Sequence, residues 1–566
     1  MIDIKVLAAE LLNKQNPEID VPTFLGMLEI PTNPEMGDLA LACFRFSKQL
    51  RKSPPEIAKE FAEKTTVEGL FSRIEAVGGY LNFFVDHVQY SKSVLDSISN
   101  EGEKFGSSNV GEGRTICIDY SAPNIAKPFH VGHLFTTVIG NALYRTYKFF
   151  GYNVVGINHL GDWGTQFGKL IVAYKHWGDK EKVTASKVSE LVALYVKFHE
   201  EAEKDDSLND EARAWFVKLE EGDTEAKELW QWFVELSLVE FKKVYAMLDI
   251  EFDSYNGESF YNDKMTPIID ELKEKRLLIE SEGAMIVDLE EFNMPPCLLL
   301  KKDGSTLYAT RDIAAGFYRK ANYGFDKCLY VMGASQSLHF KQWTKVVELM
   351  GYEWSNDCVH VPFGMVSIGG KKLATRSGVV VLLEDLFNEA ISRTLEIICE
   401  KSPDMAQKEE TARQIGIGAI VFGYLSSNRI KDISFSWDDA LNFDGETGPY
   451  VQYAHARTCS LLATAGEGHL NRFDPEKISS VEEFQLIKLL SRFGETIQIS
   501  LNELEPSIIT RYLVDVAQAF NRFYHEHKIL VDDLELMDSR LAIVNATRIV
   551  LRNGLNLIGL KAPNRV

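Results

Sequence analysis

Apolar positions follow two spacings along the chain, and their alternation divides it into domains. Residues 1–110 mix the 3.6-residue spacing of helices with the alternating pattern of short strands and end in the polar, glycine-containing run 106–113. Residues 111–390 alternate short apolar runs with helical segments, the pattern of a parallel sheet covered by helices. A long helical stretch over about 169–248 interrupts this alternation, and residues 391–566 have helical spacing almost throughout.

These patterns predict an α/β protein of three domains. We expect a Rossmann-like catalytic domain, built on a doubly wound parallel sheet with a helical insertion, between an α+β N-terminal domain and an all-α C-terminal bundle. At 566 residues the chain is too long for one hydrophobic core. In a doubly wound sheet, ligands bind at the carboxyl ends of the strands, so residues that follow predicted strands are the first candidates for a site.

The composition is typical of a soluble enzyme. Apolar residues are 45% and charged residues 25% of the chain. No apolar run is long enough to span a membrane, and the first residues have no signal-peptide pattern, so we expect a cytoplasmic protein that does not contact membranes. The seven cysteines are scattered without the spacing of a zinc site, which predicts buried, reduced thiols and no zinc.

The net charge of −21, from 61 basic and 82 acidic residues, fits poorly with a polyanionic partner. Much of the acid lies at 200–228, on segments that the pattern predicts to be exposed helices. A solvated helix face explains this run, and any bound nucleic acid should lie away from it.

One junction between a predicted strand at 115–120 and a predicted helix at 134–150 holds the first candidate site. Its sequence is Ser121-Ala-Pro-Asn-Ile-Ala-Lys-Pro-Phe-His-Val-Gly-His133. Pro128 lies just ahead of the helix, whose first N–H groups and dipole favour a phosphate group.

Three residues of this junction can contact a nucleotide. His130 and His133 can donate hydrogen bonds, and Gly132 leaves room for a purine against the backbone. The alternative interpretation is that the two histidines only cap a surface helix.

The junction resembles the HIGH signature of the arginyl-tRNA synthetases, a family of class I aminoacyl-tRNA synthetases, including the family's S-x-P-N-x-A-K-P start. The run 159–166, His-Leu-Gly-Asp-Trp-Gly-Thr-Gln, follows another predicted strand and resembles the family's next conserved block. A glycine-rich surface loop is the alternative for this second run. The likeness extends from about residue 35 to the last residue.

The run 369–378 is similar to the mobile signature loop of the family, K-M-S-T-R-x-G, but departs from it. Leu373 and Ala374 replace the usual methionine and serine, and Thr375 stands in the place of the second lysine. The resemblance implies that Lys372 or Arg376 neutralises the pyrophosphate as charge develops on it.

The resemblance implies residues for each chemical role. The catalytic candidates are His130, His133, Lys127, Lys372 and Arg376. The ATP-binding candidates are Ser121, Pro123, Asn124, His130, Gly132, His133, His159 and Lys372. The arginine-binding candidates are Asp119, Asn124, Tyr308, Asp312 and Gln336, of which Tyr308 and Asp312 belong to a block that resembles the family's Y-x-T-R-D.

The proposed pocket suits arginine chemically. A guanidinium is planar with five donors, so fixed carboxylate and amide acceptors can bind it bidentately, which the ammonium of lysine cannot match. Locally, Asp303-Gly304 predicts a turn, 307–309 a strand, and Thr310 the N-cap of a helix, which makes a first-turn acid that merely suits the dipole the alternative for Asp312.

Two regions resemble the tRNA-binding parts of the family. The block 443–457 resembles the G-x-T-G-P-Y-x-Q-Y motif that opens the anticodon-binding domain. The tRNA-binding candidates are Tyr450, Tyr453 and Tyr524 for stacking on anticodon bases, and Asn82 and Phe84 for the tRNA elbow. Packed core tyrosines and a buried strand end are the alternatives.

The implied function is that of an arginine–tRNA ligase. Arginine and ATP, with magnesium on the pyrophosphate, would give arginyl-adenylate, and the acyl group would pass to the terminal adenosine of tRNA(Arg), with AMP and diphosphate released. The resemblance also implies that activation needs bound tRNA, and we expect a monomer. The alternatives are another class I synthetase, such as the cysteinyl or glutamyl enzyme, and an inactive relative that only binds tRNA or a protein.

Overall fold

The computed structural model describes residues 3–302, 307–368, 371–372, 382–466, 469 and 472–566, with Lys371 and Lys372 described by their backbone alone. The strands are β1 Leu28–Glu29, β2 Leu39–Ala42, β3 Phe71–Val77, β4 Tyr80–Val85, β5 Thr115–Asp119, β6 Asn153–Ile157, β7 Ile279–Ser281, β8 Ala284–Val287, β9 Cys297–Leu300, β10 Lys327–Gly333, β11 Cys358–Phe363, β12 Val366–Ile368, β13 Lys371–Lys372 and β14 Ile433–Phe435.

The helices are α1 Ile4–Gln15, α2 Val21–Leu25, α3 Ser47–Leu50, α4 Pro54–Lys64, α5 His87–Glu101, α6 Val131–Phe149, α7 Gln166–Trp177, α8 Lys180–Ser186, α9 Val188–Ala202, α10 Ser207–Glu221, α11 Thr224–Leu248, α12 Met265–Glu274, α13 Tyr308–Tyr323, α14 Ser337–Leu349, α15 Leu383–Lys401, α16 Lys408–Leu425, α17 Trp437–Ala440, α18 Gly448–Ala465, α19 Val481–Ser491, α20 Phe493–Glu503, α21 Ser507–Glu526 and α22 Leu534–Leu557. Among the described residues, none of these helices is both long and apolar enough to cross a bilayer.

The chain forms two compact units. The first unit comprises Met1–Gly106, Ala454–Glu495 and Asp515–Asn553. Its antiparallel sheet has the strand order β1-β2-β4-β3, and α4 packs against the sheet through buried residues such as Ile57 and Phe61. The rest of this unit is helical. The sheet and helices of the N-terminal part therefore agree with the predicted α+β pattern.

The second unit comprises Ser107–Tyr453, Thr496–Val514 and Gly554–Val566 and contains the parallel sheet. Its strand order is β11-β10-β5-β6, with every neighbouring pair parallel. The sequence order therefore reverses around β5, as in a doubly wound sheet. This sheet confirms the Rossmann-like architecture of this part of the chain. Helices α7 to α11 form the predicted insertion.

Helix α6 lies against the sheet because a glycine lets it approach. A Cβ on Gly140 would lie 2.2 Å from the ring of Tyr120, which follows β5 and is 1% exposed. Thr136, on the same helix, donates from Oγ1 to the carbonyl of Val331 at 2.8 Å. This close packing fixes the start of α6 beside the end of β5, which is where the candidate site begins.

The register also aligns three cysteines that are far apart in the sequence. Cys328 in β10 lies opposite Cys117 in β5 and Cys358 in β11 in the strand register, and all three are buried. The prediction of buried, unpaired thiols is confirmed for these residues.

Two local predictions were wrong. Residues 307–309 do not form a strand, because α13 begins at Tyr308. Thr310 is not the N-cap: Leu307 holds that position, and the Thr310 hydroxyl, inside the helix, donates to the carbonyl of Leu299 at 2.7 Å. The turn predicted at Asp303-Gly304 lies outside the described residues.

We expect Gly140→Ala to destabilise the protein, although alanine usually favours a helix. The new methyl group would overlap the Tyr120 ring, and overpacking of this kind costs about 1 to 3 kcal/mol of unfolding free energy. Urea unfolding followed by tryptophan fluorescence measures the change.

Gly423→Ala in α16 is the matched control, because a Cβ added there would meet no described atom within 4 Å beyond the backbone of its own helix. That variant should be neutral or more stable by up to about 1 kcal/mol. Equal stability of the two variants would contradict the packing argument.

Candidate active site

The candidate residues of the α/β unit gather where its parallel strands end. Asp119 is the last residue of β5, and His159 follows β6 by two positions. Gln336 follows β10 at the end of a short 3-10 helix, Ala334–Gln336. Because parallel strands share one carboxyl edge, these residues lie along the same side of the sheet.

The two histidines of the first motif cap α6 reciprocally. His130 is the N-cap, and its Nδ1 accepts a hydrogen bond from the backbone N–H of Gly132 at 3.0 Å. Nδ1 of His133 accepts one from the backbone N–H of His130 at 3.3 Å. The N–H of His133 is also used, since it donates to the carbonyl of His130 at 2.8 Å. The expectation that these first-turn N–H groups are free for a phosphate is therefore wrong.

This capping fixes the chemistry of both rings. Burial lowers the pKa of His130 and lowers that of His133 to about 3, so both rings are neutral at physiological pH. Since each Nδ1 accepts a hydrogen bond, the ring proton is on Nε2. Each histidine can thus offer a neutral Nε2–H donor to a phosphate. Gly132 also leaves room for its neighbour, because a Cβ there would lie 2.8 Å from the His130 ring.

Asn124 is held beside the loop that follows β6. Ile125 donates its N–H to the carbonyl of Gly161 at 3.0 Å, and Gly161 donates to the carbonyl of Pro123 at 3.1 Å. A Cβ on Gly161 would lie 2.3 Å from Oδ1 of Asn124. Asn124 is itself exposed. The glycine of the second motif is therefore needed to seat this amide, which remains accessible to a ligand.

Ser121 lies inside the protein, not on a binding surface. It is 2% exposed, and its hydroxyl is hydrogen-bonded to those of Thr137 and Tyr245, each at 2.8 Å. Its backbone, and that of Ala122, has a positive φ, a conformation that non-glycine residues seldom adopt. Such strain is concentrated at functional sites, and here it sharply turns the chain between β5 and Asn124.

Asp119 is already paired with a cation of the chain. Nη2 of Arg319, on α13, donates to Oδ2 of Asp119 at 2.7 Å, and the Arg319 side chain is 1% exposed. Burial opposes a charged guanidinium, but the attraction of Asp119 keeps the pKa of Arg319 well above its ordinary value. The pair ties the end of β5 to α13.

Asp312 also has a partner. Nε2 of His339, on α14, lies 2.6 Å from Oδ2 of Asp312. Tyr308 is 67% exposed one turn earlier on α13, and Gln336 is exposed. Both side chains are thus accessible to a ligand.

Several charged residues influence the ionisable groups of the candidate site. Burial lowers the pKa of His159, and the charges of Asp119 and Asp312 oppose this effect. Burial raises the pKa of Glu258 to about 7, although Arg311 lies 3.6 Å away. The positive charge of Lys127, which is exposed, contributes a lowering effect to the pKa of Glu258 and to the pKa of each motif histidine.

Four charged or ionisable residues here were not predicted from the sequence: Glu258, Arg319, His339 and Asp162, whose carboxylate accepts hydrogen bonds from Ser259. Arg319 follows Asp312 by seven positions and Tyr308 by eleven, the spacing of one helix face. The spacing places Arg319 on the same helix face as Asp312, but it does not indicate that Asp119 is its partner.

The segment that resembles the signature loop lies mostly outside the described residues, including Arg376. For Lys372 the structure shows backbone pairing with Ser367. Leu382, the first described residue after the segment, forms a bridge with His130, and Leu383 donates to the carbonyl of Phe129 at 3.0 Å. The chain that follows the loop thus lies at the first motif.

The tRNA-binding candidates lie in both units. Tyr450 and Tyr453 belong to the second unit, and Tyr453 is 37% exposed. Tyr524 belongs to the first unit and is 36% exposed, with the Arg457 guanidinium 4.8 Å from its ring centre.

The two elbow candidates differ. Phe84 stacks under the guanidinium of Arg73 at 3.8 Å. Asn82 is 1% exposed, and neither of its amide atoms has a hydrogen-bond partner among the described residues. The predicted contact of Asn82 with RNA is therefore corrected, because a core side chain has no surface to offer.

Three family models match successive parts of the chain. The model described as tRNA synthetases class I (R), catalytic domain, matches residues 94–437. The arginyl tRNA synthetase N terminal domain matches residues 4–85, and the DALR anticodon binding domain matches residues 451–566. The chain belongs to the arginyl-tRNA synthetase family.

Relatives named arginine–tRNA ligase match over the full length of both chains: that of Alkaliphilus metalliredigens is 56% identical and that of Clostridium beijerinckii 53%. Among solved arginyl-tRNA synthetases, the Plasmodium falciparum structure has a TM-score of 0.79 at 25% identity and covers all of this chain and 98% of its own. The Thermus thermophilus structure has a TM-score of 0.83 at 24% identity over both full lengths and shares the fold.

We expect Gly161→Ala to impair activity through Asn124. The added methyl group would displace the amide, and loss of one positioned polar contact lowers kcat/KM for arginine by about tenfold to a hundredfold. Steady-state kinetics of Gly161→Ala, Asn124→Ala and the double variant measure the effect. The double variant should be no worse than Asn124→Ala, since both changes remove one interaction, whereas additive losses would contradict the assignment.

Proposed function

We propose that the chain is an arginine–tRNA ligase that forms arginyl-adenylate from arginine and ATP and passes the arginyl group to the terminal adenosine of tRNA(Arg). AMP and diphosphate are the other products. The observation that carries the proposal is the pairing of Asp119, at the end of β5, with Arg319 on α13, because α13 also carries Tyr308 and Asp312. Carboxylates beside two neutral histidine donors suit a cationic amino acid and a nucleotide.

The arginine side of the reaction depends on acceptors. Asp312, with Tyr308 and Gln336 beside it, binds the guanidinium, and Asp119 and Asn124 bind the polar groups of the amino acid. A glutamate substrate would be repelled by these acids, which favours arginine over the substrate of a glutamyl enzyme.

The nucleotide side depends on neutral donors and one cation. Nε2–H groups of His130 and His133 and the ammonium of Lys127 lie where charge develops on the α-phosphate as the arginine carboxylate attacks in line. Pro123, Gly132 and His159 complete the proposed ATP contacts. Little covalent help is needed, so positioning dominates the rate.

Magnesium enters with the triphosphate in this proposal. Among the described residues, no three histidine, cysteine, aspartate or glutamate side chains converge as metal ligands. The ion would therefore be held mainly by phosphate oxygens, as is usual for magnesium on a nucleotide. It would spread the negative charge of the departing pyrophosphate.

The tRNA is bound in two places in this proposal. Tyr450, Tyr453 and Tyr524 stack on anticodon bases, and Phe84, with the Arg73 guanidinium on its ring, contacts the tRNA elbow.

The domain division at 110 and 390, a monomeric state and a location in the cytoplasm, where translation takes place, remain predictions.

The test of the function is charging of total tRNA with each amino acid in turn by the purified full-length chain. Arginine alone should be attached, and only with ATP. Charging with another amino acid would favour a different class I synthetase, and no charging would favour a relative that only binds tRNA.

We expect arginine-dependent exchange of pyrophosphate into ATP to require tRNA(Arg). If tRNA must be bound before the site is complete, exchange without it should fall to background. Exchange is measured with and without tRNA(Arg), and tRNA for another amino acid is the control. Equal rates with and without tRNA(Arg) would rule out this dependence.

We expect Lys372→Ala to lower the charging rate about a hundredfold or more, because a cation that meets developing charge contributes mostly in the transition state. Single-turnover kinetics measure the step, and Lys371→Ala is the neighbouring control. A change within about twofold in Lys372→Ala would transfer the role to Arg376.

A further inference from the structure

His339 contacts the proposed arginine-binding acid but has no role in the reaction derived above. Its Nε2 lies 2.6 Å from Oδ2 of Asp312, and both side chains are 27% exposed. Asp119, the other proposed acid, is paired instead with the permanently charged Arg319. The charge of the imidazole changes near neutral pH, so of these two resident partners only His339 can gain or lose its charge under physiological conditions.

We propose that His339 is a positioning residue that orients the Asp312 carboxylate for the guanidinium of arginine and must be neutral to do so. The inference rests on the proposed function, since it takes Asp312 as the guanidinium-binding acid. A neutral His339 donates Nε2–H to Oδ2 and leaves the pair with a net charge of about −1 for the substrate. A protonated His339 cancels that charge, so a proton competes with arginine.

The surroundings of the pair identify which other groups could act on it. Asp312 is the facing group from α13, and its hydrogen bond raises the pKa of His339, against an opposing effect of burial. On β9, burial raises the pKa of the Cys297 thiol, and the charge of Asp312 adds to this effect. From β11 the ring of His360 lies 3.4 Å from the hydroxyl of Ser337 at the start of α14.

Two more distant groups also respond to Asp312, namely Glu258 and His159. Glu258 matters most for the test because its pKa, raised by burial to about 7, lies in the same range. Its protonation would also weaken the binding of a cation at low pH. A pH profile alone therefore cannot assign the effect, and variants of His339 are needed.

The sign of the effect follows from proton competition. Below the pKa of His339 in the free protein, arginine must expel a proton, so its dissociation constant rises as the pH falls, by up to about tenfold per pH unit. Above that pKa the constant no longer changes. Binding of ATP, which does not use Asp312, should not follow this profile.

The experiment is titration calorimetry of arginine, and separately of ATP, with the full-length chain between about pH 6 and pH 8.5, in buffers of different ionisation enthalpy that count released protons. His339→Gln retains a donor at the Nε2 position but does not titrate. At high pH its dissociation constant for arginine should be within about threefold of that of the unaltered chain. At low pH this variant should bind arginine more tightly than the unaltered chain does, and binding should release fewer protons.

His339→Ala removes the donor and should weaken arginine binding about tenfold or more at high pH, with ATP binding unchanged. Normal ATP binding also shows that each variant is folded. His176→Gln is the matched control, because His176 is paired with Glu211 at 2.9 Å on the helical insertion, away from the sheet edge. It should keep the pH profile of the unaltered chain.

The outcomes separate the two hypotheses. A flattened profile with fewer released protons in His339→Gln supports the inference. An unchanged profile in that variant, with arginine bound normally, overturns it and leaves Glu258 as the titrating group. If the unaltered chain does not bind arginine even when tRNA(Arg) is present, the proposed function is overturned together with this inference.

Discussion

The buried pair of Asp119 and Arg319 is the interaction on which the candidate site depends. A guanidinium that is 1% exposed is stable only next to an opposite charge, and removal of one partner from such a pair costs about 3 to 5 kcal/mol. Here the pair joins the end of β5 to α13, the helix that carries Tyr308 and Asp312. One ionic contact therefore positions the residues from both elements that the proposed pocket requires. Nε and Nη1 of Arg319 have no hydrogen-bond partner among the described residues. The burial of this positive charge therefore depends strongly on Asp119.

The same contact makes a cleft of clustered acids compatible with folding. Asp119, Asp312 and Glu258 would repel one another if each kept a full, unpaired charge at low dielectric. The protein meets this constraint in three ways: Arg319 neutralises the first, His339 can neutralise the second, and burial favours the protonated form of the third. These three acids therefore carry less negative charge than their number implies.

The family resemblance named Asp119, His159, Tyr308 and Asp312, which lie in its motifs, whereas Arg319 and His339 lie outside them. Strand ends support the first two, because parallel strands bring their carboxyl ends together wherever they lie in the sequence. Arg319 and His339 are in the middle or first turns of helices, and their partners lie 200 and 27 positions away. No local pattern encodes such a pairing, since it depends on which helix faces meet. Asn82 shows the opposite limit: the motif was recognised, but the burial of one position depends on the packing of the whole sheet.

The capping of α6 by the two motif histidines bears directly on the donor role proposed for them. A histidine that caps through Nδ1 must, when neutral, carry its proton on Nε2. Burial keeps both rings neutral, and it lowers the pKa of His133 to about 3. The cap thus selects the tautomer that donates, and no proton has to move before a phosphate is met. A lysine or arginine at either position would bring more charge, but it could not accept the backbone N–H groups of Gly132 and His130. The capping that the structure shows and the donation to a phosphate that we propose therefore favour the same side chain.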